Sequence, residues 1–235
     1  MGIRYSKIEH YRNKREIVLL KSFPCKYGKC AFCNYIEDNS VDENEINRVN
    51  EDVLREITGR YGMLDVINSG SVFELPTKTL ELIREISYEK NIKVIYFEVY
   101  YGYINRLGEI RKFFDGIEIR FRMGMETFDN PYRTQVLKKN FLLDEEKLEI
   151  LKDKIYCICL LVGMKGQTKE MIRKDIEMGL KYFRQITVNI FVNNGTVVKR
   201  DEELCKWIVE EYKNLPDNPK VEMLLDNRAL GVYEQ

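Results

Sequence analysis

The sequence predicts an α/β fold in which a curved parallel sheet carries its helices on the outside, a partial (β/α)6 barrel. Three observations predict it. Short β-branched or aromatic runs alternate six times with apolar residues at helical spacing, joined by short connections. Parallel strands need such crossovers, and right-handed crossovers curl the sheet. A closed eight-unit barrel takes about 250 residues, so six units in 235 residues leave the barrel open. No linker or repeat divides the chain. The expectation is a single domain over residues 1–235, with its core at about 16–225 and a tail at 226–235.

The elements follow in order. Residues 16–23 form the first strand, which runs into Cys25, Cys30 and Cys33. An acidic linker, residues 37–43, precedes a helix marked by Ile46, Val49, Val53, Leu54 and Ile57. Residues 63–68 read as a buried strand ending in Ser69-Gly70-Ser71. Pro76 and Thr77 open a helix carried by Leu80, Ile83 and Ile86, and residues 92–99 return as a strand. Ile104, Leu107, Ile110, Phe113 and Phe114 outline the next helix, before a strand at 117–123. Helical stretches are expected at 131–139 and at 144–152, where Asp144 is an N-cap. A strand at 155–162 ends in a glycine-bearing turn, residues 163–168. Thr168 then caps a helix whose apolar face is Ile172, Ile176, Leu180 and Phe183. The last elements are a strand at 186–192, the turn Asn193-Asn194-Gly195, a helix at 202–212 and a strand at 221–225.

Composition narrows the class. With 44% hydrophobic and 32% charged residues, the chain is a folded, soluble protein. No apolar run reaches the length of a membrane span, and residues 1–15 lack the apolar core of a secretory signal. Six cysteines without that signal point to metal or redox chemistry in a reducing compartment, hence the cytoplasm. The 38 basic and 38 acidic residues balance, whereas a protein gripping duplex or whole tRNA shows a basic surplus. Nucleic acid is therefore not the expected partner. Arg4, Lys7, Arg12, Lys14 and Arg15 form a local basic segment, read as a solvated face.

The chemistry concentrates in Cys25, Cys30 and Cys33, spaced C-x4-C-x2-C on one loop. Thiolates this close can share one metal centre. Zinc would want a fourth ligand, and the only histidine, His10, stands fifteen residues upstream of Cys25. Three inert thiols are the other plain reading, though Pro24, Gly28 and the flanking lysines mark an exposed loop. A four-iron cluster with one iron open accounts for three ligands. The loop resembles that of the radical S-adenosylmethionine (SAM) superfamily, C-x3-C-x2-C with an aromatic residue before the last cysteine. Phe32 holds that aromatic position, and the first gap is one residue longer than the family's.

Further stretches resemble superfamily motifs at the carboxyl ends of strands, where parallel barrels bind ligands. Ser69 and Gly70 stand where the family's G-G-E segment takes the methionine amino group, without its second glycine or its acid. Gly124-Met125-Glu126-Thr127 resembles the G-x-E-S segment. The resemblance implies ribose contact for Glu126 and pairing of Arg122 with the methionine carboxylate; a solvated turn is the plain alternative for Glu126. Gly163 to Thr168 resembles the G-x-P-G-E-T turn along the adenine, and Asn189 lies where relatives bond the adenosine. A satisfied core amide would look the same. Glu98, Tyr100 and Asp226 are the candidate substrate contacts. Cys157, Cys159 and Cys205 read as structural.

The resemblance implies a [4Fe-4S] cluster whose open iron binds SAM. An external donor, flavodoxin or ferredoxin, would supply the electron that releases a 5′-deoxyadenosyl radical, and the substrate would be a small nucleobase-like molecule. In size and layout the chain is similar to the small queuine lyases, which release 7-aminomethyl-7-deazaguanine (preQ1) from queuine for salvage. A tRNA-modifying radical enzyme of the Elongator or methylthiotransferase type, and a non-enzymatic zinc module, remain as other classes.

Overall fold

The alternation of short apolar strands with amphipathic helices builds the predicted layers. The computed structural model describes residues 3–9 and 12–225. Its strands are β1 (Tyr5–Ile8), β2 (Arg15–Leu20), β3 (Met63–Asn68), β4 (Val94–Glu98), β5 (Glu118–Glu126), β6 (Cys157–Val162), β7 (Gln185–Ile190) and β8 (Val221–Leu224). Helices follow six of them: α1 (Glu43–Leu54), α2 (Thr77–Glu89), α3 (Leu107–Phe113), α4 (Glu145–Lys154), α5 (Lys169–Tyr182) and α6 (Glu202–Glu211). Strand order follows chain order from β1 to β4, and again from β5 to β8. The expected N-caps form: Asp144 accepts from the Lys147 N–H and Thr168 from the Met171 N–H.

The described residues group into two units. One runs to Gly28 and resumes over Tyr35–Phe121; the other holds Lys29–Asn34 and the chain from Arg122 onward. In the first unit β1 pairs antiparallel with β2, and β2, β3 and β4 are parallel. Asn50 of α1 accepts from the Lys21 N–H at 2.7 Å and donates to the Lys21 carbonyl at 2.8 Å, fixing the helix at the end of β2. Phe97 of β4 meets Phe114 beyond α3, with ring centroids 5.2 Å apart. On the other face of the strands Arg15 donates to Asp65 at 2.8 Å, both side chains 1% exposed. This corrects the solvated reading of the basic segment: Arg15 is a buried ion-pair partner, and Arg4 pairs with Asp38 at 2.5 Å. Isolated, the Arg15 charge would be costly to bury; the carboxylate compensates it.

In the second unit β6 pairs parallel with β5 and β7, and β7 with β8. α5 lies against the face carrying Ile158, Leu160 and Ile186. A β-carbon on Gly179 would stand 2.8 Å from Ile186, so the glycine lets helix and sheet approach. The opposite face is polar, because side chains alternate along a strand. Arg122, Cys157 and Gln185 are register neighbours there, as are Cys159, Thr187 and Glu222.

Two elements differ from expectation. β1 was not foreseen, because Tyr-Ser-Lys-Ile is too short and polar to read as a strand, a common condition of edge strands. Residues 131–139 contain a five-residue π turn, Tyr132–Val136, rather than an α-helix. Arg133 at its centre is buried and donates to the Phe141 carbonyl at 2.9 Å and to the Thr127 carbonyl and Asn130. Those tertiary bonds override the helical spacing.

Candidate active site

Cys25 closes against the turn after β3. Gly70 leaves little room for a side chain: a β-carbon would lie 3.2 Å from Cys25 Cα and 3.0 Å from Glu74 Oε2. Glu74 is 6% exposed and accepts from three donors. They are the Ser71 N–H at 2.6 Å, the Tyr103 hydroxyl at 2.8 Å and the Lys26 N–H at 3.4 Å. Burial and the Glu74 hydrogen bond push the Tyr103 phenol up to about 12, so it remains a donor at neutral pH. Ser69 is buried and shares a 2.9 Å hydrogen bond with Ser22. Asn68 bonds the Ser71 carbonyl through its amide nitrogen, while its buried oxygen finds no hydrogen-bond partner among the described residues. Glu98 ends β4 half-buried, and Tyr100 stacks on Tyr27 of the cysteine loop at 6.3 Å.

Cys30 and Cys33 are braced from three directions in the second unit. The Ala31 N–H donates to the Leu137 carbonyl at 2.9 Å. The Asn194 amide donates to the Phe32 carbonyl at 2.9 Å. Phe32 packs into the cluster of Tyr132, Leu137, Met164, Phe191 and Val198. Gln167 holds the turn after β6 by donating to the Leu161 carbonyl at 2.9 Å and accepting from the Met164 N–H at 3.0 Å.

At the end of β5 a bulge between Gly124 and Glu126 puts Glu126 at φ 62°. That left-handed conformation costs a non-glycine residue about 1–3 kcal/mol and is held only where surroundings enforce it. Here Lys139 enforces it. Its ammonium lies 2.8 Å from Glu126 Oε1 and 2.6 Å from the Gly124 carbonyl. Burial works to lower the Lys139 pKa, but Glu126 and the Cys30 and Cys33 thiolates outweigh it and raise it.

Gly163 takes φ 84°, and a β-carbon there would stand 2.3 Å from Cys205 Sγ, so both conformation and packing require the glycine. Cys205 is accordingly structural, its thiol pushed up to about 11 by burial. Cys157 is held down to about 7: burial raises it, but hydrogen bonding with Cys159, the Arg122 guanidinium and Thr187 prevail. The Asn189 side-chain oxygen is buried with no hydrogen-bond partner among the described residues. A satisfied core amide is thereby corrected, since buried polar atoms normally find a partner.

The first unit thus brings Cys25 together with Gly70, and the second ties the segment of Cys30, Phe32 and Cys33 to Leu137, two residues before the lysine that pairs with Glu126. Arg122 lies on the polar face of β5, four residues before Glu126, at 3% exposure. Asp226 and His10 lie outside the described residues. Sequence reasoning missed Glu74, Lys139 and Asn194, which act across long chain separations. It also missed most of the polar face, although Gln185, Thr187 and Asn189 alternate visibly with Ile186, Val188 and Ile190.

Each unit by itself carries groups of the kind a cluster and an adenosyl cofactor need. In the first, the Cys25 thiol packs by Gly70 and the buried Asn68 oxygen has no hydrogen-bond partner among the described residues. In the second, the Cys30 and Cys33 thiols sit on a segment held by one backbone bond and by the Asn194 amide, and the buried Asn189 oxygen likewise has no partner among the described residues.

No family model and no curated protein matches the chain. Among solved structures, a queuine lyase from Clostridium spiroforme bound to SAM and queuine shares 51% identity, covering 98% of this chain and 99% of that one, with a TM-score of 0.92. Streptococcus suis SuiB bound to S-adenosylmethionine matches in fold alone, at 12% identity and a TM-score of 0.51, covering 88% of this chain and 46% of that one. The chain is a radical SAM protein, with the α/β partial-barrel fold of that class. Within the class it belongs to the queuine lyase family.

Proposed function

We propose that this enzyme cleaves queuine, releasing preQ1, with SAM and a [4Fe-4S] cluster held by Cys25, Cys30 and Cys33. The observation that carries the reading is the full-length likeness to a queuine lyase at 51% identity. When bound, the reduced cluster supplies the electron that splits SAM into methionine and the 5′-deoxyadenosyl radical that takes hydrogen from the substrate.

The protein's residues bind and orient. Ser69 and Gly70 line the turn beside Cys25, where the methionine amino group is bound. Arg122 meets the methionine carboxylate, and Glu126 accepts from the ribose hydroxyls. Asn189 supplies an acceptor whose desolvation is already complete, so a hydrogen bond from adenosine gains more there than in water. The turn at Gly163 presents backbone to the adenine. On this reading Glu98, with Tyr100, reads a guanine-like edge, since a carboxylate accepts two adjacent N–H bonds; Asp226, the third proposed substrate residue, lies outside the described residues. An external low-potential flavodoxin or ferredoxin delivers the electron. The whole chain works as one domain in the cytoplasm, a location its thiol content and composition support.

Anaerobic incubation with queuine, SAM and dithionite tests this reading. Formation of 5′-deoxyadenosine together with preQ1, both lost in Cys30→Ala, is the expected result. Deoxyadenosine formation indifferent to queuine would overturn the substrate.

A further inference from the structure

Lys139 has a built environment that cofactor binding by Glu126 does not explain. Its side chain is 12% exposed and its ammonium bridges Glu126 and the Gly124 carbonyl. Gly124 is shaped to this pair: a β-carbon would fall 2.3 Å from Glu126 Oε1 and 2.9 Å from Lys139 Nζ. The preceding residue, Lys138, takes φ 54°, and the Lys139 N–H donates to the Arg133 carbonyl at 3.0 Å, so the backbone is locked on both sides. Two residues earlier, the Leu137 carbonyl holds the Ala31 N–H between Cys30 and Cys33. The ammonium is thus anchored on a backbone segment that itself pins the loop between Cys30 and Cys33.

We propose that Lys139 raises the reduction potential of the cluster bound by these cysteines, with Glu126 moderating it as a counter-charge. The inference rests on the radical SAM reading above. Three thiolates on a four-iron core make an anionic assembly, and one electron from a low-potential donor adds a further negative charge without making or breaking a bond. A neighbouring cation in a partly desolvated site favours the reduced form, and removal of its carboxylate partner favours it further.

The test is potentiometric titration of the reconstituted cluster, without SAM, followed by its paramagnetic resonance signal. In Lys139→Met the reduced-to-oxidised ratio at a fixed potential falls about tenfold, equivalent to ~59 mV for one electron. In Lys139→Arg it stays within about threefold of the parent, because the charge is kept. In Glu126→Gln it rises. A Lys139→Met midpoint equal to the parent's overturns the proposal, as does a Lys139→Arg shift as large as that of Lys139→Met. If Lys139→Met holds no cluster, Glu126→Gln decides: an unchanged or lowered ratio overturns it. Absence of any cluster in the parent, by iron and sulfide content, would instead defeat the radical SAM reading.

Discussion

The side-chain amide of Asn194 donates to the carbonyl of Phe32 at 2.9 Å, joining residues 162 positions apart. Asn194 is 6% exposed and also reaches Asn34 at 3.3 Å, while its oxygen accepts from the Thr196 hydroxyl at 2.7 Å. One buried amide thereby ties the turn after β7 to the residue preceding Cys33.

Asn194→Ala should therefore loosen the cysteine loop more than the fold. The Phe32 carbonyl loses a buried donor, at a cost of about 1–3 kcal/mol. Iron retained per chain after reconstitution is expected to drop several-fold, with the melting transition still cooperative. Full iron retention with normal loss kinetics would contradict the tether.

Gly70→Ala should act on Cys25. The added methyl meets Cys25 Cα at 3.2 Å and Cβ at 3.3 Å, so the loop must shift by a few tenths of an ångström. Overpacking of this kind costs about 1–3 kcal/mol. Weaker cluster assembly with little change in far-ultraviolet circular dichroism is the expected signature; unchanged assembly would show the loop to be pliant there.

Asp175 gives a pH-dependent prediction. It accepts from the Phe128 N–H at 2.6 Å and the Thr127 hydroxyl at 3.1 Å, holding the segment after β5 to α5. Burial, with Asp129 adding to it, raises its pKa from 3.8 to about 7, against the opposing hydrogen bonds and Arg133. A carboxyl raised on folding favours the folded state fully below pH 3.8 and loses that advantage as pH climbs to about 7. Asp175→Asn carries no such loss. The stability of the variant relative to the parent should grow across that window by up to about 4 kcal/mol and then level off. Parallel stability curves for the two proteins would contradict the assignment.

Gly163 and Cys205 should be energetically coupled. Gly163→Ala meets both a strained φ of 84° and the Cys205 sulfur at 2.3 Å. Cys205→Ala relieves the second problem and leaves the first, about 1–2 kcal/mol. A double-mutant cycle on unfolding free energy should give a coupling of at least about 1 kcal/mol; strict additivity would place the strain elsewhere.

Much of this was legible in the sequence where local pattern decides. β3 occupies residues 63–68 as spacing predicts, and Asp144 and Thr168 cap α4 and α5 as their side chains dictate. The cysteine loop was visible because three ligands lie on one turn. Glu74, Lys139 and Asn194 were not, because each acquires its role from a partner brought near only by the sheet. No acid stands at the expected G-G-E position; Glu74, four residues after Gly70, turns its carboxylate back to the Ser71 N–H. The π turn at Tyr132–Val136 shows the converse: helical spacing yielded to the buried bonds of Arg133.

The most direct measurement of the central claim uses queuine deuterated at its saturated carbons, incubated anaerobically with the reconstituted enzyme, SAM and dithionite. Mass spectrometry should find deuterium in 5′-deoxyadenosine and preQ1 accumulating in step with it. Unlabelled deoxyadenosine formed at the same rate without queuine, and no preQ1, would contradict the account.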